Sequence, residues 1–262
     1  MATSTEQIND LIQAGNDWKE QADALLADRL AHQNAYEALT VDLKGVVDAR
    51  MMFTGRFDNT QVSTNQEGGY WDSIADCIND APPGSLVNIY LAEDQTFEFE
   101  GNAFFGYSKK IRISRDPAQN GPRPTLRFKA YEHNGENRLY GITPNVGGSA
   151  YIDTVDIEFE DKVNAALPWS TSAGIFSIGQ ASSVDLGIRY STITGHADQY
   201  LASALYATQV GLRLHSVTLD GPFVAVKNTA SASVSLSQNA LTLQNGATLT
   251  DGGTIGTNIL KN

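Results

Sequence analysis

The sequence predicts a mainly β protein, a parallel β-helix preceded by an N-terminal α-helix that assembles as a trimeric coiled coil. Three observations carry this. Residues 1–53 contain no proline and repeat apolar side chains at heptad spacing. The pattern at 184–195 recurs without gaps at 210–221, a 26-residue offset that marks one coil of a solenoid. From residue 171 onward Ser, Thr, Ala, Gly, Asn and aliphatic residues dominate, which suits short strands joined by tight turns. A β-sandwich is the alternative for the part after the helix, since short strands at turn-punctuated spacing also describe that class.

The helix comes first. Up to residue 50 only Gly15 and Gly45 interrupt it, so a continuous helix over roughly 5–50 is permitted. With Ile8 at heptad position a, ten of the fourteen a and d positions through Phe53 are apolar. Ile8, Leu11, Trp18, Leu25, Tyr36, Leu39, Leu43 and Val46 are therefore assigned to trimerisation, because a lone helix would leave them in water. A helix lying along its own domain is the other reading. Arg29 and His32 also fall on the seam, either as a polar layer that fixes register or as solvated side chains.

Gly55, Asn59, Gly68 and Gly69 mark residues 54–69 as a linker or shoulder. A short helix follows, with Trp71, Ile74, Ile78 and Ala81 at helical spacing, and Pro82-Pro83-Gly84 ends it. Strands begin at once: 86–91 is strand-like throughout, and 96–100 alternates Phe97 and Phe99 inward with Glu98 and Glu100 outward. The run Gly68-Gly69-Tyr70-Trp71-x-Ser73-Ile74-x-x-Cys77-Ile78-x-x-Ala81-Pro82-Pro83-Gly84-x-x-Val87-x-Ile89-x-Leu91 resembles the opening segment of pectin-lyase-like proteins. The resemblance implies a right-handed parallel β-helix whose open end is covered by the short helix through Trp71, Ile74 and Ile78. It extends over about 30 residues and speaks to fold rather than activity. Cys77 stands where alanine is usual, and Glu93-Asp94 where a glycine turn is common.

The 26-residue offset predicts that Leu186, Ile188 and Ile193 stack under Leu212, Leu214 and Leu219. A further segment, 241–246, ends 25 residues after Gly221, and 151–159 has the same strand character at looser spacing. The β-helix is thus assigned to 70–231 and a C-terminal β tail to 232–262. Two insertions, Tyr131–Ala150 and Asp161–Ala173, are predicted as loops that carry binding specificity or pack on a neighbouring subunit.

Eighteen bases against thirty acids give a formal charge of −12, which argues against nucleic acid as a partner. Charge is also uneven: residues 171–262 hold only four acids and four bases. The single cysteine, Cys77, predicts no intrachain disulfide. No segment approaches a membrane span, and the first residues lack a basic and apolar leader, so membrane insertion is not expected and synthesis is expected in the cytoplasm. Phosphate-loop, HExxH, GxSxG and CxxC motifs are absent, and the four histidines lack ligand spacing, so no cofactor and no metal are expected.

No catalytic set is assigned. Asp153 and Asp156 are the carboxylates that a glycosidase would use, and alternation puts Asp156, Glu158 and Glu160 on one outward face. A solvated strand edge explains the same run, and a lyase would have only Lys162 nearby. Trp169 beside Pro168, with Tyr131 and Tyr140, are the receptor-binding candidates, since sugar faces stack on aromatic rings; loop anchoring is the alternative for each.

Heptad helix, shoulder, capped β-helix and charge-poor β tail together resemble bacteriophage tail fibres and tailspikes. That resemblance implies a structural subunit of the virion tail whose partners are its own copies, other phage tail proteins and a bacterial surface glycan or protein. A polysaccharide depolymerase and a non-viral solenoid adhesin or scaffold remain open.

Overall fold

The structure is a computed structural model that describes residues 3–105, 109–144, 148–170, 174–178, 183–204, 209–228, 233–250 and 259–261. It forms two units, Met1–Ala49 and Arg50–Asn262. The first is the helix α1 (Ser4–Met51). The Glu6 carboxylate accepts the backbone N–H of Thr3 at 2.7 Å, closing one side of a capping box, and this bond holds the Glu6 carboxyl below its usual range. Exposed side chains support the helix locally, as in Gln13 Nε2 donating to Asp17 and Gln33 Nε2 donating to Glu37.

The second unit is mainly β. One sheet contains a ladder of parallel strands: β1 (Met52–Phe57), β2 (Leu86–Leu91), β5 (Lys110–Arg115), β10 (Ser149–Asp153), β13 (Ser183–Thr194), β15 (Gln209–Asp220), β17 (Ser233–Gln244) and β19 (Ile259–Lys261). The far half of β13 continues into a shorter ladder of β11 (Asp156–Phe159), β6 (Thr125–Phe128) and β3 (Thr96–Phe99). A separate sheet stacks β4 (Ala103–Phe105), β9 (Ile142–Pro144), β12 (Gly174–Ile178), β14 (Tyr200–Ala204), β16 (Val224–Asn228) and β18 (Thr248–Thr250). Every pairing among the described residues of both sheets is parallel, which argues against the β-sandwich alternative, because a sandwich is built from antiparallel sheets. The described antiparallel pair is the hairpin β7 (Ala130–His133) with β8 (Glu136–Leu139).

Alternation explains the interior. Ile89, Ile113, Ile152, Ile188 and Leu214 occupy one register position in successive strands, and all are buried. Phe97, Leu126, Ile157, Ile193 and Leu219 form the equivalent row of the shorter ladder, and Phe99 stacks on Phe128 at 4.8 Å. Burying each such side chain contributes roughly 1.5–3 kcal/mol. The 26-residue offset is realised as predicted, with Leu186, Ile188 and Ile193 paired to Leu212, Leu214 and Leu219. The next repeat is shorter than the glycine spacing suggests: Val217 pairs with Leu241 and Leu219 with Leu243, 24 residues on. Asn245 and Gly246 both adopt positive φ beyond the strand, so Gly246 does not occupy the place of Gly221.

The linker expected at 54–69 is corrected in its first part. Residues 52–57 alternate Phe53, Gly55 and Phe57 inward and form β1, so Phe53 belongs to a strand rather than to the heptad series. Gly55 is required there, since a Cβ would lie 2.3 Å from Cys77 Sγ of α2 (Ile74–Asp80). Ser73 caps α2 by accepting the Asp76 N–H, and Ile74, Ala75, Cys77 and Ile78 are buried. Lys109 Nζ donates to the Ile78 carbonyl at 2.8 Å from the interior, where burial pushes its ammonium pKa down.

The insertions are more ordered than loops. The first contains the β7–β8 hairpin, β9 and the start of β10. The C-terminal tail is no separate element in its first part, because β17 pairs with β15 along its length.

Candidate functional site: a cationic groove on the long ladder

Strand positions that alternate with the buried rows point outward, and on the long ladder they carry Arg56, Lys110, Arg112, Arg189 and Arg213 against Asp153 and Asp185. In a chain of formal charge −12 this face is locally positive. A groove of about 770 Å³ opens on it, with Tyr151 and Gly187 at its floor, Arg112, Arg189 and Arg213 around it, and Ser237 and Asn239 at one end.

Gly187 makes the depression. An added Cβ would lie 2.4 Å from Tyr151 Cδ1, so the Tyr151 ring lies over bare backbone. The Tyr151 hydroxyl donates to Asp185 Oδ2 at 2.5 Å, and Arg213 reaches the same oxygen at 3.1 Å. Burial, then the hydrogen bond to Asp185, push the Tyr151 hydroxyl up to about 12, so it is a donor and not a base at neutral pH. Arg112 and Arg189 share Asp153 Oδ2 at 2.9 and 2.6 Å. Two guanidiniums on one carboxylate leave an uncompensated positive charge.

Beyond Asp153, Arg189, His215 and Asn239 the chain bends through Thr154, Tyr190, Ser216 and Ala240, all at positive φ in successive strands. For side chains other than glycine such a conformation costs about 1–3 kcal/mol and concentrates at functional sites. It projects Tyr190, which is 47% exposed, beside the groove, with its ring edge-on to His215 at 5.3 Å.

Asp153 and Asp156, the carboxylates a glycosidase would use, have separate partners. Asp153 is buried under its two arginines. Asp156 accepts the Thr192 N–H and pairs with Arg123 on the other side of the bend. The outward run Asp156, Glu158, Glu160 is found as predicted, and its carboxylates meet Arg123, Arg127 and Lys129. Burial pushes the Glu160 carboxyl up, and bonds from Lys129 and the Ala130 N–H outweigh it, leaving the carboxyl below its usual range. Asp153 and Asp185, the two carboxylates that hold the arginines of the groove, stand four strand residues and one strand apart, on the order of 14 Å, beyond the separation of a glycosidase pair; Asp116, one strand and two residues from Asp153, is paired with Arg56.

The receptor-binding candidates divide. Trp169 is 7% exposed and belongs to the core, so the expected stacking platform is corrected to a loop anchor. The cause is Asn137, itself fully buried, whose Nδ2 donates to the carbonyls of Asn164 and Leu167 while its backbone bonds Pro168 and Ser170. Tyr131 and Tyr140 are half-buried and stack on each other at 4.3 Å, away from the groove. Of the residues that the heptad spacing assigns to trimerisation as an expectation, Ile8, Leu11, Trp18, Leu25, Tyr36 and Leu39 are exposed along α1, whereas the side chains of Leu43 and Val46 lie outside the described residues.

Sequence reading missed the groove because its residues come from distant segments, 112, 151, 187–190, 213–215 and 237–239. One signal was available: the gapless repeat already pairs Gly187 with Arg213 and Arg189 with His215 at outward positions. No group of three or more metal-ligating side chains converges among the described residues, and no described helix is long and apolar enough to cross a membrane. No family model, curated protein or solved structure matches the chain.

Proposed function

We propose that this chain is a fibre subunit of a bacteriophage tail, built as a right-handed β-helix on a trimeric coiled coil, that attaches to a glycan of the bacterial surface without cleaving it. The observation that carries the reading is the row of exposed apolar side chains on α1, Ile8, Leu11, Trp18, Leu25, Tyr36 and Leu39, at heptad spacing. So many large apolar groups at that spacing call for copies of the same helix, since each a and d side chain then enters a hole on a neighbour. Stacked parallel coils suit an attachment protein, because their outward positions form one continuous face across many strands. Binding without cleavage is supported by the carboxylates of that face, Asp116, Asp153 and Asp185, each of which is engaged by an arginine rather than presented to a glycosidic bond.

Adsorption to cells of a susceptible bacterium tests the attachment: the purified protein is expected to compete with phage for adsorption and to release no reducing ends from the surface polysaccharide. Release of reducing ends that stops in Asp153→Asn would replace this reading with a depolymerase.

A further inference from the structure

We propose that the groove over Gly187 binds an anionic saccharide, with Arg189 and Arg213 holding the negative group and Tyr190 presenting a stacking face to the sugar ring. This rests on the glycan-attachment reading and names the class of glycan.

Charge selects the class. Arg112, Arg189 and Arg213 surround the groove with side chains 50%, 52% and 66% exposed, and among the described residues their ion-pair partners are Asp153 and Asp185. A guanidinium carries five N–H donors, whereas Arg189 and Arg213 each commit one nitrogen to an aspartate, so a fork remains for a bidentate acid group. Asp185 is further occupied by the Tyr151 hydroxyl, which weakens its hold on Arg213. A neutral glycan would leave this positive charge unanswered. Nucleic acid would face a chain of −12 with three arginines in the groove, too few for a phosphate-tracking surface.

Shape selects a sugar over a small free anion. About 770 Å³ accommodates far more than one carboxylate or phosphate. Tyr190 offers an apolar face beside the cations, fixed by its backbone bend and by His215, and Ser237 and Asn239 supply hydroxyl and amide groups for sugar hydroxyls. A carboxylate, sulfate or phosphate on the sugar answers the positive charge of the arginines with equal logic, and the probes separate these sources.

The experiment is calorimetric titration of the full chain with oligogalacturonate, dextran sulfate, phosphomannan and neutral maltohexaose. At least one anionic polymer is expected to bind ten-fold or more tighter than maltohexaose, with affinity falling as salt rises. Arg189→Ala and Arg213→Ala are each expected to weaken it ten-fold or more, and Tyr190→Ala several-fold, while Arg127→Ala on the other ladder leaves it unchanged. Circular dichroism and thermal unfolding of each variant show that the fold is kept. Equal affinity for maltohexaose, binding by none of the anionic polymers, or full affinity in Arg189→Ala and Arg213→Ala would overturn the proposal. If those two variants also adsorb to cells like the parent, attachment stands and the groove assignment fails; groove binding without adsorption to any bacterium has the converse meaning.

Discussion

The ring of Tyr151 lies across the bare backbone of Gly187 on the neighbouring strand, and its hydroxyl is tied to Asp185 two residues before that glycine. One contact thus fixes both the floor of the groove and the carboxylate that partners Arg213. Gly187→Ala places a methyl group 2.4 Å from the ring and forces it out. The expected cost is about 1–3 kcal/mol in denaturant unfolding, as for other overpacked sites, together with weaker glycan binding.

Tyr151→Phe keeps the ring and removes the bond. A net loss of about 1–2 kcal/mol is expected, since Asp185 keeps Arg213. The pH dependence has a definite sign. The hydroxyl is raised from near 10 to about 12, so its contribution is complete below pH 10 and is lost as pH rises through about 12. Unfolding curves between pH 9 and 12 should therefore fall less steeply in Tyr151→Phe than in the parent.

At the acid end the shorter ladder matters. Glu160 is held below its usual value by Lys129 and the Ala130 N–H, so its contribution is present above about pH 4.5 and is lost as pH falls below that. Glu160→Gln should flatten the acid limb of the stability profile while costing less than about 1 kcal/mol at neutral pH, because the pair is partly solvated.

Asn137→Ala removes the amide that holds the carbonyls of Asn164 and Leu167 in a buried site. A loss of about 2–4 kcal/mol is expected, with two acceptors left dry. In a Trp18→Phe, Trp71→Phe background the remaining Trp169 emission should shift to the red as its loop detaches.

These residues show what was legible in the sequence and what was not. Ile188 and Leu214 could be paired in advance because an inward row repeats at a 26-residue spacing, and the α2 face of Ile74 and Ile78 because helical spacing sets it, whereas Trp71 is buried but precedes the helix, which Ser73 caps. Burial imposes a period, and a period can be read. Strand β1 was mistaken for linker because its inward Gly55 interrupts the alternation of Phe53 and Phe57, and the glycine is explained only by Cys77 packing from another element. The burial of Trp169 depended on Asn137, some thirty residues earlier in a hairpin, and polar clamps of that kind have no period. Arg112, Arg189 and Arg213 meet in the groove through parallel strand register, and the lengths of the intervening segments set which outward residues align.

The central claim is that the heptad face of α1 assembles three chains. Light scattering on size-exclusion eluate at micromolar concentration measures it directly. The account predicts a mass three times that of the 28.3 kDa chain, falling to one chain in Leu25→Asp, Leu39→Asp, which puts two charges from every copy into the seam. A single-chain mass for the parent protein, or an unchanged trimer in the double variant, would contradict it.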